Sequence, residues 1–127
     1  VGCVYFAYWM VLVAAFLPYA CAGYAKAGSR DNHAPRLFAE TLTGARRRAD
    51  WAQRNHFEAF PLFAAAVIIA SIAGASHATV SWLAGIFILV RIAYTFAYIT
   101  DRATMRSLLF MAGAACIVGL FVAAGMA

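Results

Sequence analysis

Three short groups of polar residues interrupt otherwise apolar runs: "RNHFEAFP" at 54–61, "RIAYTFAYI" at 91–99 and "RS" at 106–107. Buried charge costs several kcal/mol unless it is paired, so ionisable residues inside such runs point to a site. On a helix Arg54 and Glu58 are i,i+4 neighbours and Asn55 and Glu58 are i,i+3 neighbours, which places the three on one face. Arg91, Tyr94 and Tyr98 have i, i+3, i+7 spacing and share a face in the same way. Arg54, Asn55, Glu58, Arg91, Tyr94, Tyr98 and Arg106 together form a set in which cations outnumber acids. Such a set suits an anionic polar ligand that also carries an amine for Glu58 to hold. The alternative is that Arg91 and Glu58 meet only as a packing pin between helices, with arginines near the span ends reaching to lipid headgroups.

The elements that must position these residues follow from composition. The chain has 127 residues, 65% hydrophobic and 12% charged, with a formal net charge of +5. A soluble domain is about half apolar and about a quarter charged, so the class is integral membrane protein. No soluble basic surface is available for nucleic acid. Four apolar segments, at about 2–25, 53–74, 79–99 and 107–126, each have the roughly 20 residues a helix needs to cross the hydrocarbon layer. Runs of this length without period-two alternation exclude barrel strands. The expected fold is all-α, a four-helix transmembrane bundle in one domain over 1–127. The first segment lacks a basic leader region and is longer than a signal-peptide core, so it is read as a permanent span.

The connections set the orientation. The first loop, about 26–52, carries Lys26, Arg30, Arg36 and Arg46–Arg48 and is turn-like around Gly28, Asn32 and Pro35. Within it, "RLFAETLTGARRRADW" reads as a short interfacial helix or as an extension of the second span. The second connection has no Lys or Arg, and the third carries Arg102 and Arg106. Basic loops stay inside, so loops 1 and 3 are expected in the cytoplasm and both termini on the opposite side. Glu58 then lies about 10 Å below Trp51, a candidate interfacial anchor, and Arg91 lies about 12 Å before the third span leaves the bilayer. At that common depth Arg91 and Glu58 could meet. Cys3, Cys21 and Cys116 are dispersed in apolar runs and form neither a disulfide framework nor, with His33, His56 and His77, a metal site. His56 adjoins the polar group but points about 100° away from Asn55. Gly113, Gly119 and Gly125 are expected to let the fourth span approach its neighbours.

The pattern resembles the family of membrane-associated proteins in eicosanoid and glutathione metabolism (MAPEG), over nearly the whole chain. The signature is an Asn, a Glu three residues on and a Pro soon after, here Asn55, Glu58 and Pro61 in "RNHFEAFPLFAAAV". Arg91, Tyr94 and Tyr98 look like the family's third-span Arg and paired aromatic positions. Arg106 and Ser107 resemble the Arg-Ser pair opening the fourth span in the prostaglandin E synthase branch. "DNHAPR" at 31–36 looks like the bacterial members, which implies an inner-membrane location. The resemblance implies a homotrimer in contact with membrane lipids, with glutathione bound between subunits. Glu58 would hold the glutathione amino group. Arg54, Asn55 and Tyr94 would contact its peptide and carboxylates, Arg91 and Tyr98 would support them, and Gln53 matches a contact of the leukotriene-synthase branch. Arg106 would sit near the sulfur and favour its thiolate, with Ser107 as a further donor. The implied activity is a glutathione transferase or peroxidase acting on a lipophilic substrate. One position departs: the eicosanoid enzymes carry an Arg four residues before the signature Asn, where this chain has Trp51, with Arg47 or Arg48 a turn away. The alternative is therefore a non-catalytic subunit of a larger membrane complex.

Overall fold

The computed structural model describes residues 5–27 and 33–127. Cys3, and Gly28, Arg30 and Asn32 of the first loop, lie outside the described residues. The chain forms α1 (Phe6–Ala25), α2 (Pro35–Glu40), α3 (Gly44–Ile72), α4 (His77–Ile99) and α5 (Ala103–Met126). All but α2 are long and apolar enough to cross a membrane. They make the four-helix transmembrane bundle that the composition predicts.

The first loop contains both a short helix and an extension of the second span. Pro35 opens α2, where its fixed φ suits a first helical turn. Then α3 begins at Gly44 and runs for 29 residues, a length of about 43 Å. That exceeds the ~30 Å hydrocarbon layer, so the polar first turns, with Arg46–Arg48 and Asp50, extend past the expected span start at 53. Two arginines secure this extension. The Arg47 guanidinium donates to the Glu40 and Leu42 carbonyls and lies 5.4 Å from the Trp51 ring centre. Arg48 Nε donates to the Ile99 carbonyl at 2.9 Å, supplying an acceptor-rich helix end with a cation.

The most extensive packing is of α1 on α3 and of α4 on α5. Phe63 and Phe87 stack between α3 and α4 at 4.0 Å, nearly parallel. Ala7, Ala14, Ala66, Ala70 and Ala84 are buried around them. Small residues suit helices that associate in lipid, where association rests on close van der Waals contact. A second, smaller cluster of Ala25, Ala39, Leu42 and Ala49 joins α1, α2 and α3 at the basic end. At the other end the Tyr5 hydroxyl meets Ser71 Oγ, which itself donates to the Val67 carbonyl. Of the glycines in α5, Gly113 faces Phe87 and Arg91 and Gly119 faces Leu83, whereas Gly125 faces open space.

The turn from α4 to α5 decides where Arg106 goes. Asp101 has φ +61°, a left-handed conformation that Asp tolerates better than most residues. The Arg102 N–H reaches back to the Ala97 carbonyl at 2.9 Å and closes the end of α4. With this short reversal, Arg106 stands in the first turns of α5 beside the last turns of α4.

Candidate functional site

Every polar residue singled out in the sequence lies toward the basic end, but α3 distributes them over two faces. Asn55 and Glu58 face α4 and α5. They line a cleft of about 200 Å³ together with Leu62, Arg91, Phe110 and Gly113. Tyr94, Tyr98, Arg106 and Ser107 line an adjacent cleft of about 320 Å³, and Phe110 is common to both. Gln53 and Arg54 line a different, third cleft of about 450 Å³ with Lys26, Arg36, Glu40 and Asp50, between α1, α2 and α3. Arg54 is therefore parted from Glu58 despite their i,i+4 spacing. It pairs instead with Asp50, one turn earlier, at 3.2 Å. Asp50 is buried, whereas most of the Arg54 side chain is exposed.

The face of α4 expected from spacing is built as a ladder. The Arg91 guanidinium lies 4.3 Å from the Tyr94 ring centre. Tyr94 and Tyr98 meet edge to face at 5.6 Å. The Arg106 guanidinium lies 4.6 Å from the Tyr98 ring centre. A cation stands over the ring at each end of the tyrosine pair, each contact favoured by the ring quadrupole. The ladder leads from the buried Arg91 to the partly exposed Arg106.

Arg91 does not pair with Glu58, although both line one cleft. Its Nη2 donates to Asn55 Oδ1 at 2.8 Å and to His56 Nδ1 at 2.8 Å. Its Nε lies 3.3 Å from the same His56 nitrogen. A guanidinium only donates, so Nδ1 must be the acceptor and Nε2 carries the ring proton. Nε2 then donates to Thr95 Oγ1 at 2.7 Å, and Thr95 donates to the Arg91 carbonyl at 2.9 Å. The Cys21 thiol of α1 also faces Thr95. Burial explains the arrangement: Arg91 is 2% and His56 3% exposed, so each needs every polar atom met inside the protein. Among the described residues no buried side-chain nitrogen or oxygen lacks a partner.

His56, Thr95 and Cys21 are the residues that sequence reasoning passed over. A signal for His56 was present, since a histidine within a membrane helix is by default functional or partnered. Its 100° offset from Asn55 turned attention away, yet that offset is what aims it at the α3–α4 interface.

The residues fit glutathione in kind. Glu58 is exposed to the cleft and forms no ion pair among the described residues, which leaves a carboxylate to take an ammonium. Arg106 likewise forms no ion pair among the described residues and lines the neighbouring cleft. One acid and one accessible cation with intervening donors match a zwitterion of net negative charge.

No curated protein matches this sequence. The model of the MAPEG family matches residues 6–126, nearly the whole chain. Taken with the four membrane helices and the polar residues gathered at one end, that match means the protein belongs to the MAPEG family.

Proposed function

We propose that the protein is a glutathione-dependent membrane enzyme of the transferase or peroxidase type, working as a homotrimer. The observation that carries this reading is the pair of clefts that share Phe110 in their walls, one lined by Glu58 and the other by Arg106 and Ser107. Glu58 holds the glutathione ammonium. Asn55 and Tyr94 meet its peptide and carboxylate groups, and Tyr98 and Arg91 support them. Gln53 and Arg54 line the separate cleft toward α1 and α2, where they complete the site of a neighbouring subunit. A site shared across a rotational interface requires two such faces on every chain.

At the sulfur, Arg106 favours the thiolate by charge and keeps its own proton throughout. The thiol proton leaves to solvent. The thiolate electron pair then forms a bond to an electrophilic carbon, displacing a leaving group with its electrons. With a hydroperoxide it attacks the terminal oxygen instead and expels the alkoxide, and a second glutathione yields the disulfide and water. Ser107 donates a hydrogen bond to the sulfur. The lipophilic substrate enters laterally from the bilayer, where Leu62, Phe110 and Ile117 line the apolar side of the cleft.

Calorimetry with glutathione on the detergent-purified protein tests the binding step, with Glu58→Gln expected to weaken it about tenfold or more. Turnover with chlorodinitrobenzene and cumene hydroperoxide tests the chemistry. Arg106→Ala should lower turnover about a hundredfold while leaving the oligomer intact. Wild-type protein that neither binds glutathione nor turns over either substrate would favour the second reading, a non-catalytic membrane subunit. One observation favours that reading: Trp51 stands at an expected arginine position, and Arg47 and Arg48 are engaged in holding α2 and α4.

A further inference from the structure

The buried hydrogen-bond chain beneath the cleft does more than tie helices together. Asn55 presents one acceptor and two donors from its side chain. Its Oδ1 accepts from Arg91 at 2.8 Å, so the amide nitrogen is the group left to offer to the cleft that Asn55 and Glu58 both line. The amide orientation is thus decided by Arg91. Arg91 is in turn held by three restraints: Asn55, the face of Tyr94, and His56 Nδ1, which receives both Nη2 and Nε. Of these, His56 and Tyr94 are both almost completely buried, and it is His56 that is anchored from behind, through Thr95 to the backbone of the residue it positions.

We propose that His56 is a positioning residue: through Arg91 it turns Asn55 to face the ligand as a hydrogen-bond donor, so that Asn55 recognises a carbonyl or carboxylate oxygen of glutathione. The inference rests on the glutathione reading above and adds a residue to it. Without the Nδ1 acceptor, the guanidinium is released to rotate about its terminal bonds, and the Asn55 amide is no longer confined to one orientation. A flipped amide would present its oxygen to the ligand's oxygen and repel it. Lys at position 91 cannot replace the fork, because one ammonium lacks the fixed planar geometry that engages Asn55 and His56 together.

The test compares His56→Leu, His56→Asn and His56→Gln by glutathione calorimetry and by steady-state kinetics with chlorodinitrobenzene. Asn places an oxygen near the position of the lost Nδ1, whereas Leu has no acceptor and Gln carries its amide farther out, toward Thr95. Leu and Gln should each weaken glutathione binding about tenfold, and Asn should restore it to within about threefold of the wild type. The loss should fall on the KM for glutathione more than on kcat, because Arg106 lies at the other end of the ladder. Unaltered binding in the Leu variant, or equal losses in Asn and Leu, would overturn the proposal. Where the Leu variant does not assemble, the Asn and Gln variants decide it, and equal losses in those two would again overturn it. Wild-type protein without measurable glutathione affinity overturns this inference and the proposed function together. A wild type that binds, with all variants unchanged, overturns this inference alone.

Discussion

Asp50 and Arg91 are both buried charged residues, and they meet their needs differently. Asp50 keeps one partner, the mostly exposed Arg54, in an i,i+4 pair on its own helix. Arg91 is surrounded by neutral groups: a histidine nitrogen, an amide oxygen and a tyrosine ring. Its loss should therefore be the more damaging of the two. Arg91→Lys keeps the charge but cannot reproduce the bonds to Asn55 and His56, and should cost about 2–3 kcal/mol in detergent unfolding experiments. Arg54→Gln takes the charged partner from the buried Asp50 and leaves only a neutral amide to donate, so it should cost about 1–2 kcal/mol. A fall in glutathione affinity in that variant well beyond its loss of stability would place Arg54 at a ligand and not only in the scaffold.

Among the elements, the α4–α5 turn has the most direct bearing on the chemistry. It is closed by a residue at φ +61°, Asp101. A β-branched residue there meets the steric cost of the left-handed region, about 1–2 kcal/mol. Asp101→Val should lower stability by that amount and reduce turnover as well, because Arg106 depends on the turn for its place over Tyr98. Asp101→Gly should retain both, and thermal unfolding with parallel activity assays separates the cases. The extended α3 has its own dependence. Arg48→Ala removes the cation at the end of α4 and should cost about 0.3–1 kcal/mol. Gly113 is a further control point. A Cβ there would meet Phe87 and Arg91 at 3.6–3.7 Å, ordinary contact, so Gly113→Ala is tolerated sterically. A larger side chain, as in Gly113→Leu, would fill the 200 Å³ cleft and should abolish glutathione binding.

For the whole molecule, large apolar side chains stay exposed on each long helix: Phe16, Ile72, Trp82, Leu89 and Met111 among them. Only Gly113, Cys116 and Leu120 of α5 are buried. Such surfaces suit lipid and neighbouring subunits, and the two polar faces of α3 make a subunit test possible. If the protein is the proposed homotrimer and Glu58 of one chain shares a site with Arg54 of the next, neither Glu58→Gln nor Arg54→Gln protein alone holds an intact one. Co-assembling the two variants in equal amounts should then restore about a quarter of the sites, since each intact site needs one unaltered face from each neighbour. Binding titration of the mixed trimers measures this fraction. No recovery would mean that each chain binds alone. Sidedness can be checked separately with impermeant thiol reagents on single cysteines at Thr41 and Ser76, in a background without Cys3, Cys21 and Cys116. Modification from opposite sides is expected.

The four spans, the basic end and the membership of Arg91, Tyr94 and Tyr98 in one face were legible from the sequence. They follow from hydrophobic run length and from helical spacing, which are local properties. The Asn55–Glu58–Pro61 signature was legible through its resemblance to the MAPEG family. Which way each side of α3 looks was not, because i,i+4 spacing says that two residues are neighbours without saying what lies across from them. Arg54 and Glu58 were separated by the packing of α1 and α2 on one side and of α4 and α5 on the other. The choice of His56 over Glu58 as a partner for Arg91 was also tertiary. Burial left the guanidinium only acceptors at the α3–α4 contact, and Glu58 remained in the cleft. Sequence by itself determined the membrane bundle and the kinds of groups at its basic end; only the helix packing decided which of them are pinned together and which remain available to a ligand.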